Sequence, residues 1–410
     1  MPDGFFSLST VRLVNEPPTL IARCGACGLS ETCLSPKMEV HGEGKRKVLV
    51  LGEAPGKIED EVGRQFVGPA GQRLRQTLKK INISLDKDCW TSNSLLCRPP
   101  KNKTPDNNKI DFCRPNLTKT IEALQPNVII TLGAIPIRSV MGGIWIRTSK
   151  VGEVSKWVGW QIPCQKPNMW VTPTFHPSWI LRLENGKDSR AKIAALVFEK
   201  HLKAAFDIKS KPWPENLPDY TKQIEVVMDV EEAAKRVRKL AKGSRAVAFD
   251  YETNTLKPDA KHASIICCSV SDGKETIAYP FYGAVKEASK ELVISDVPKI
   301  ASNMKFEQRW TMAKLGVRVK NFAHDTMLCA HCLDTRGGIS SIKFQAFVLL
   351  GAPLWNQHID ELLDTDEKEK RGNSRNNIHQ IDLQDLLKYC AVDSLLEWRV
   401  SQEQMRILGI

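Results

Sequence analysis

No run of about 18 consecutive apolar residues occurs in this 410-residue chain, so no segment reads as a membrane-spanning helix. The opening stretch, MPDGFFSLSTVRLVNEPP, lacks the basic start and long apolar core of a secretory signal. Twelve cysteines are too few and too irregularly spaced for a disulfide scaffold. With no export signal they read as reduced thiols, some of them candidate metal ligands, in a protein expected in the cytoplasm. Internal repeats are also missing. What is present is ordinary globular material: 42% hydrophobic and 26% charged residues exclude a largely disordered chain. The length predicts two or three compact units.

Charge is distributed unevenly. Residues 1–210 hold 31 Lys and Arg against 19 Asp and Glu, whereas residues 211–410 hold 28 of each. The whole net charge of +12 therefore sits in the first half, which favours a polyanionic partner through phosphate neutralisation. The neutral second half is still compatible with nucleic acid, because a site built of carboxylates cancels its basic residues until cations bind.

The apolar runs VLVLGE (48–53), NVIITLGA (127–134) and VTPTFHPSW (171–179) read as strands passing into loops. Helical patterns at Gln72–Ile81 and Arg190–Phe206 alternate with them, as in a three-layer α/β/α unit. DIKSKPWPENLPDY, with three prolines, reads as a linker. The domains are expected at 1–207, with a linker at 208–222, and at 223–410. Beyond the linker, IEVVMD, RAVAFDYET, SIICCSVSD and ETIAYPF read as strands, VEEAAKRVRKLAKG as an amphipathic helix, and most of the chain from Asn303 as helical. Residues 366–379 read as a polar surface loop.

Cys24 and Cys27 form a C-x-x-C pair, and Cys97 and Cys113 follow with a longer gap. Such spacing suits tetrahedral zinc and a four-iron cluster equally. Between and beyond the pairs lie GEAPGKIEDEVGRQFVGPAG (52–71), TSNSLLCRPPKN (91–102) and TFHPSWILR (174–182). In sequence and order these closely resemble the motifs of the family 4 (iron–sulfur) uracil-DNA glycosylases, over about residues 20–206. The resemblance implies a [4Fe-4S] cluster held by Cys24, Cys27, Cys97 and Cys113, and uracil-containing DNA as substrate. The residue types suit excision of a base rotated out of the helix. Phe66 can stack on a pyrimidine, and the Asn93 amide matches the O4 and N3–H edge of uracil. A neutral His176 can donate to the departing uracil anion, and Glu53 can orient water or stabilise the cationic sugar. Gly52, Ala54, Pro55, Gly56, Pro177 and Ser178 suit close approach to DNA. Glu59 and Asn102 also match family positions, and water activation is not divided among them and Glu53. Glu53 favours family 4 over family 5.

Asp250 and Glu252 are two apart on an expected strand and so share a face. Tyr389 and Asp393 are four apart on an expected helix, LLKYCAVDSLL, and SNMKFEQRW (302–310) supplies Asn303 and Glu307. Carboxylates gathered without basic partners call for divalent cations. In this order the motifs resemble the 3′→5′ exonucleases of the DEDD superfamily, tyrosine subtype. With HDTMLCAHCLD they are most similar to the proofreading domains of family A DNA polymerases, a ribonuclease H-like fold, over about 223–405. This implies Asp250, Glu252, Glu307 and Asp393 as ligands of two Mg2+ or Mn2+, with Tyr389 orienting the attacking water. Leu256 would pack near the terminal base, and Asn303 would help bind substrate. The second motif more often ends in Asp than in Glu. Cys329 and Cys332 read as helix packing, and Asp325 as an organiser of its helix.

The expected protein is an enzyme that combines uracil excision with 3′→5′ proofreading on single-stranded DNA ends. Such a fusion suits the cytoplasm of a bacterium or of a virus-infected host. Motifs of a family A polymerase do not follow the third exonuclease motif, so polymerisation is expected from a separate subunit or from a portion outside this sequence. Two rivals are an exonuclease whose glycosylase-like unit only recognises uracil, and a non-catalytic accessory that holds DNA for a polymerase.

Overall fold

The computed structural model describes residues 21–145, 154–260, 262–355, 359, 362–363 and 375–410. The chain divides into two compact units at Leu217–Pro218. Much of the 366–379 segment lies outside the described residues.

The first unit is built on five strands: β1 (Val48–Gly52), β2 (Cys89–Asn93), β3 (Val128–Leu132), β4 (Ile162–Cys164) and β5 (Met169–Thr174), in the order β2-β1-β3-β5-β4. All pairs are parallel except β4 with β5. β1 and β3 are buried along their whole length, which is why they read as continuous apolar runs. Helices Pro69–Lys80, Pro177–Asn185 and Ala191–Asp207 pack together, while Asn107–Leu124 packs on Ala134–Ile144. The result is a three-layer α/β/α unit. The chain leaves β1 for a neighbour on one side and returns to β3 on the other. This reversal opens a crevice at the carboxyl ends of the strands.

The segment expected as a linker, 208–222, holds the boundary between the units, and its first residues are tied to the first unit. Trp170 Nε1 donates to the Ser210 carbonyl at 3.1 Å, and Asn168 Nδ2 donates to the Trp213 carbonyl at 2.5 Å. The Trp213 N–H also donates to Asn168 Oδ1 at 3.4 Å.

The second unit has six strands: β6 (Glu225–Val226), β7 (Val247–Thr253), β8 (Ile265–Ser271), β9 (Thr276–Pro280), β10 (Lys299–Ala301) and β11 (Phe322–Asp325), ordered β11-β10-β7-β8-β9-β6. β7, β8 and β9 form an antiparallel meander, and β10 and β11 continue parallel to β7. This is the ribonuclease H-like arrangement. IEVVMD yields only the two-residue β6. Val247, Phe249 and Tyr251 of β7 enter one core with helices Val230–Gly243 and Ala284–Ile294. By the period of two, Asp250 and Glu252 face the other side of the sheet. There the long helix Leu383–Leu408 packs across β7, β8 and β9.

Asp325 ends β11 and holds two segments. Its carboxylate accepts from the backbone N–H groups of Asn303 (3.1 Å) and Met304 (2.9 Å), and from those of Met327 (3.0 Å) and Leu328 (3.1 Å). It therefore caps helix Thr326–Leu333 and fixes the turn that leads to Glu307. On that helix Cys329 is partly covered and Cys332 is exposed, so packing accounts for the first and not the second. Asp325→Ala is expected to destabilise the second unit by about 2 kcal/mol. In urea unfolding of the full chain, its transition should move to lower denaturant while that of the first unit stays in place.

Candidate active sites

In the first unit, a cavity of about 840 Å³ lies at the carboxyl ends of the parallel strands. It is lined by Gly52, Glu53, Ala54, Pro55, Gly56, Glu59, Phe66, Asn93, Asn102, His176 and Ser178, so every residue expected to bind or act on the base reaches it. Pairing sets the registry. Gly52 lies opposite Asn93 at the ends of β1 and β2. The pairing runs on through Ser94 N–H to the Gly52 carbonyl and Leu95 N–H to the Glu53 carbonyl. Gly52 must be glycine: a methyl there would come within 2.4 Å of Asn93 Oδ1 and 2.9 Å of the Phe66 ring. Phe66 has φ +56°, a backbone state rarely adopted by aromatic residues. Arg75 Nε donates to its carbonyl at 3.3 Å while the Arg75 guanidinium grips Asp86 at 2.6 and 2.9 Å. The cost of that conformation, about 1–3 kcal/mol, is offset by this surrounding network.

His176 stands at the N-cap of helix Pro177–Asn185. Its Nδ1 accepts from the Ser178 backbone N–H at 3.2 Å and contacts Ser178 Oγ at 2.7 Å. A backbone N–H can only donate, so the neutral ring carries its hydrogen on Nε2. Arg182 Nη1 in turn donates to Ser178 Oγ at 3.3 Å. Burial, and then the Arg182 charge, hold the His176 pKa down to about 4. Burial raises the Glu53 carboxyl, and Arg182 opposes this. Glu59 Oε1 accepts from the Gly68 N–H at 2.7 Å, and Asn102 Oδ1 accepts from Arg98 Nε at 2.7 Å. Arg182 lies within a motif already noted, but its role becomes visible only once the helix places it one turn beyond Ser178.

Cys24, Cys27, Cys97 and Cys113 line one small cavity with Leu29, Leu95 and Phe112. Cys24 and Cys27 occupy a single helical turn. The Lys37 N–H donates to Cys97 Sγ at 3.2 Å, and Asn116 Nδ2 donates to Cys113 Sγ at 3.6 Å. Four cysteines around one cavity, with N–H donors and an apolar wall, fit a thiolate-bound cluster; no three of their sulfurs lie within 4.8 Å of one another, wider than a single ion calls for. Burial pushes Cys97 up to about 12 and raises Cys113, so thiolates here need a cation to form. Cys33 lies beside Cys97 and is not one of the four cysteines that line the cavity.

In the second unit, Glu252, Glu307, Asp393 and Tyr389 are buried, and Asp250 is partly so. Ligand atoms of Asp250, Glu252 and Cys390 lie within 4.8 Å of one another. Glu307 and Asp393 are outside that tightest group but feel the charge of Asp250. Burial raises all four carboxyls, Asp250 to about 6 and Asp393 to about 7, and neighbouring carboxylates add to the effect on Glu252, Glu307 and Asp393. A set of buried oxygens of like charge fits hard divalent cations. Cys390 is a poor candidate ligand for them. Its buried thiol is held protonated and donates to Asp250 Oδ2 at 3.6 Å. Trp355 Nε1 donates to Asp393 Oδ1 at 3.2 Å.

The expectation of carboxylates without a basic partner is corrected by Lys343. Its ammonium donates to Tyr389 Oη at 3.3 Å and favours the charged forms of Asp250, Glu252 and Asp393. No sequence signal links it to Tyr389, because the two meet only when helix Ile342–Leu350 packs on Leu383–Leu408. Leu256 (64% exposed) and Asn303 (φ +61°) sit on turns beyond the ends of β7 and β10.

Comparison with known proteins follows the same division. Residues 40–198 match the uracil DNA glycosylase superfamily, and residues 224–406 match a family described as 3′-5′ exonuclease. A type-4 uracil-DNA glycosylase of Pyrobaculum aerophilum is 38% identical over 165 residues, covering 40% of this chain and 82% of that protein. The DNA polymerase of Bacillus phage SP01 is 25% identical over 338 residues, 74% of this chain and 34% of the polymerase. An alignment that long exceeds either unit and takes in part of both. Among solved structures, the RNase D–GMP complex of Trypanosoma brucei aligns with a TM-score of 0.34 at 16% identity, covering 45% of this chain and 58% of that one.

Because the folded pKa of His176 lies below its ordinary 6.5, protonation favours the unfolded chain. Its contribution to stability is complete above about pH 6.5 and is lost as the pH falls toward about 4. An NMR titration of the imidazole is expected to show this low midpoint, and Arg182→Gln should raise it. A midpoint near 6.5 in the unsubstituted protein would contradict the burial described.

Proposed function

The chain belongs to the type-4 uracil-DNA glycosylases and carries a 3′→5′ exonuclease domain behind that unit; we propose that it excises uracil from DNA and trims 3′ ends beside a separate DNA polymerase. Both domains are hydrolytic. The observation that carries this reading is the convergence of Glu53, Phe66, Asn93 and His176 on one cavity.

In the first reaction a uracil is rotated out of the stack and lies against the Phe66 ring. The Asn93 amide pairs with its O4 and N3–H edge, a pattern cytosine does not offer. As the N-glycosidic bond breaks, negative charge grows on the base, and the Nε2–H of His176 donates to it. A neutral ring with a fixed tautomer needs no reorganisation to do so. Water falls to Glu53, since Glu59 is engaged by the Gly68 N–H and Asn102 by Arg98. The surplus of basic residues in this half supports binding to the DNA backbone. Cys24, Cys27, Cys97 and Cys113 would hold a [4Fe-4S] cluster in a structural role.

In the second reaction Asp250, Glu252, Glu307 and Asp393 would hold two Mg2+ or Mn2+. Such ions activate water and stabilise the leaving oxygen of a phosphodiester. Tyr389 orients the attacking water, and Lys343 fixes the phenol from the opposite helix. Leu256 and Asn303 meet the terminal nucleotide. The long alignment with a phage DNA polymerase supports a polymerase context for the pair of domains.

His176→Ala is expected to slow release of uracil from a uracil-containing oligonucleotide by about 10²–10³-fold. Asp250→Ala should abolish nucleotide release from a mismatched 3′ end while leaving uracil excision intact. Unchanged rates in either variant would overturn the corresponding half of the proposal. Anaerobic purification should yield iron and sulfide in equal amounts, and Cys97→Ser should lower both. Purification of the full chain with its polymerase at physiological salt tests the partnership, and failure to associate counts against it.

A further inference from the structure

Glu397 belongs to none of the motifs assigned to the exonuclease. It lies on helix Leu383–Leu408, one turn beyond Asp393 and two beyond Tyr389, on the face those residues present to β7. Only 3% of it is exposed. Its Oε2 has no hydrogen-bond partner among the described residues, and the same holds for Oε2 of Glu307. Burial holds its carboxyl well above the usual range, the charges of Asp250, Glu307 and Asp393 add to this, and the Ser302 backbone N–H opposes it. A buried carboxyl without a donor, set among like charges, stays protonated until a cation meets it, and a cation that does so can replace the proton. Two such oxygens, on Glu397 and Glu307, are buried without a donor, and the Glu307 charge acts on Glu397.

We propose that Glu397 is a fifth carboxylate of the cation site, holding with Glu307 the cation on that side of the pocket. The proposal rests on the reading of this pocket as a two-cation exonuclease centre. It also gives a reason for Glu307, whose side chain is one methylene longer than the Asp more usual in this motif. The cation on that side would be gripped by carboxylates from two helices, Lys305–Leu315 and Leu383–Leu408. Hard cations draw on several oxygen ligands, so a further carboxylate within reach completes a shell instead of crowding it.

The test is titration of the chelator-stripped full chain with MnCl2, with free Mn2+ read by electron paramagnetic resonance. The unsubstituted protein is expected to bind two ions. Glu397→Gln should weaken one of them by about 10-fold and leave the other unchanged. Glu307→Gln should weaken the same ion, and the double variant should lose less than the sum of the two effects. Gln still offers an acceptor to the Ser302 N–H. A purely structural Glu397 therefore predicts an unchanged isotherm, which would overturn the proposal. Glu397→Leu, measured on the fraction that remains folded in EDTA, is expected to show the same loss and serves if Gln perturbs folding. If the unsubstituted protein bound no Mn2+, the exonuclease reading itself would fail, an outcome distinct from failure of the Glu397 assignment.

Discussion

Burying Glu252, Glu307, Asp393 and Glu397 near the partly buried Asp250 sets like charges against each other where water screens them poorly. Most of the second unit's architecture serves that juxtaposition. The period of two along β7 sends its aromatic residues into one core and its acids to the opposite face. The long terminal helix then closes over those acids with its own. The remaining contacts hold the crowded groups in place: Trp355 on Asp393, the Cys390 thiol on Asp250, and Lys343 on Tyr389. The Lys343 ammonium acts on three of these carboxylates at once, and it relieves only part of the repulsion.

The first unit solves a different electrostatic problem. On the proposed reaction its cavity would receive a neutral base and release an anion, which calls for donors fixed before the charge appears. The side chains that supply them are oriented by short local ties. Ser178 sets the tautomer of His176, and Gly68 takes up Glu59. The strained turn at Phe66 is held by Arg75 through its carbonyl. Strand register at Gly52 and Asn93 does the rest.

Much of this was legible in the chain. The buried strands β1 and β3 announce themselves as unbroken apolar runs, and β7 by its alternation. Local structure carries the residues of each contiguous motif to a strand end, and the pairing of the strands brings those ends together. Lys343 and Glu397 were not legible, for separate reasons. Lys343 meets Tyr389 only through the packing of two helices distant in sequence. Glu397 sits at a helical spacing from Asp393 that any surface glutamate could share, and only its burial distinguishes it. Composition marked the segment after Asp207 as a linker and did not reveal that Asn168 and Trp170 hold backbone carbonyls within it.

One short stretch of chain serves both halves of the first unit's chemistry. Asn93, Pro99 and Asn102 border the base cavity, while Leu95, Leu96 and Cys97, between them, wall the cysteine cavity. The sulfur cage thus works as a buckle on a strap whose two free ends form the rim of the pocket. Slack at the buckle would be felt at that rim, even though no cysteine is among the residues that line the cavity.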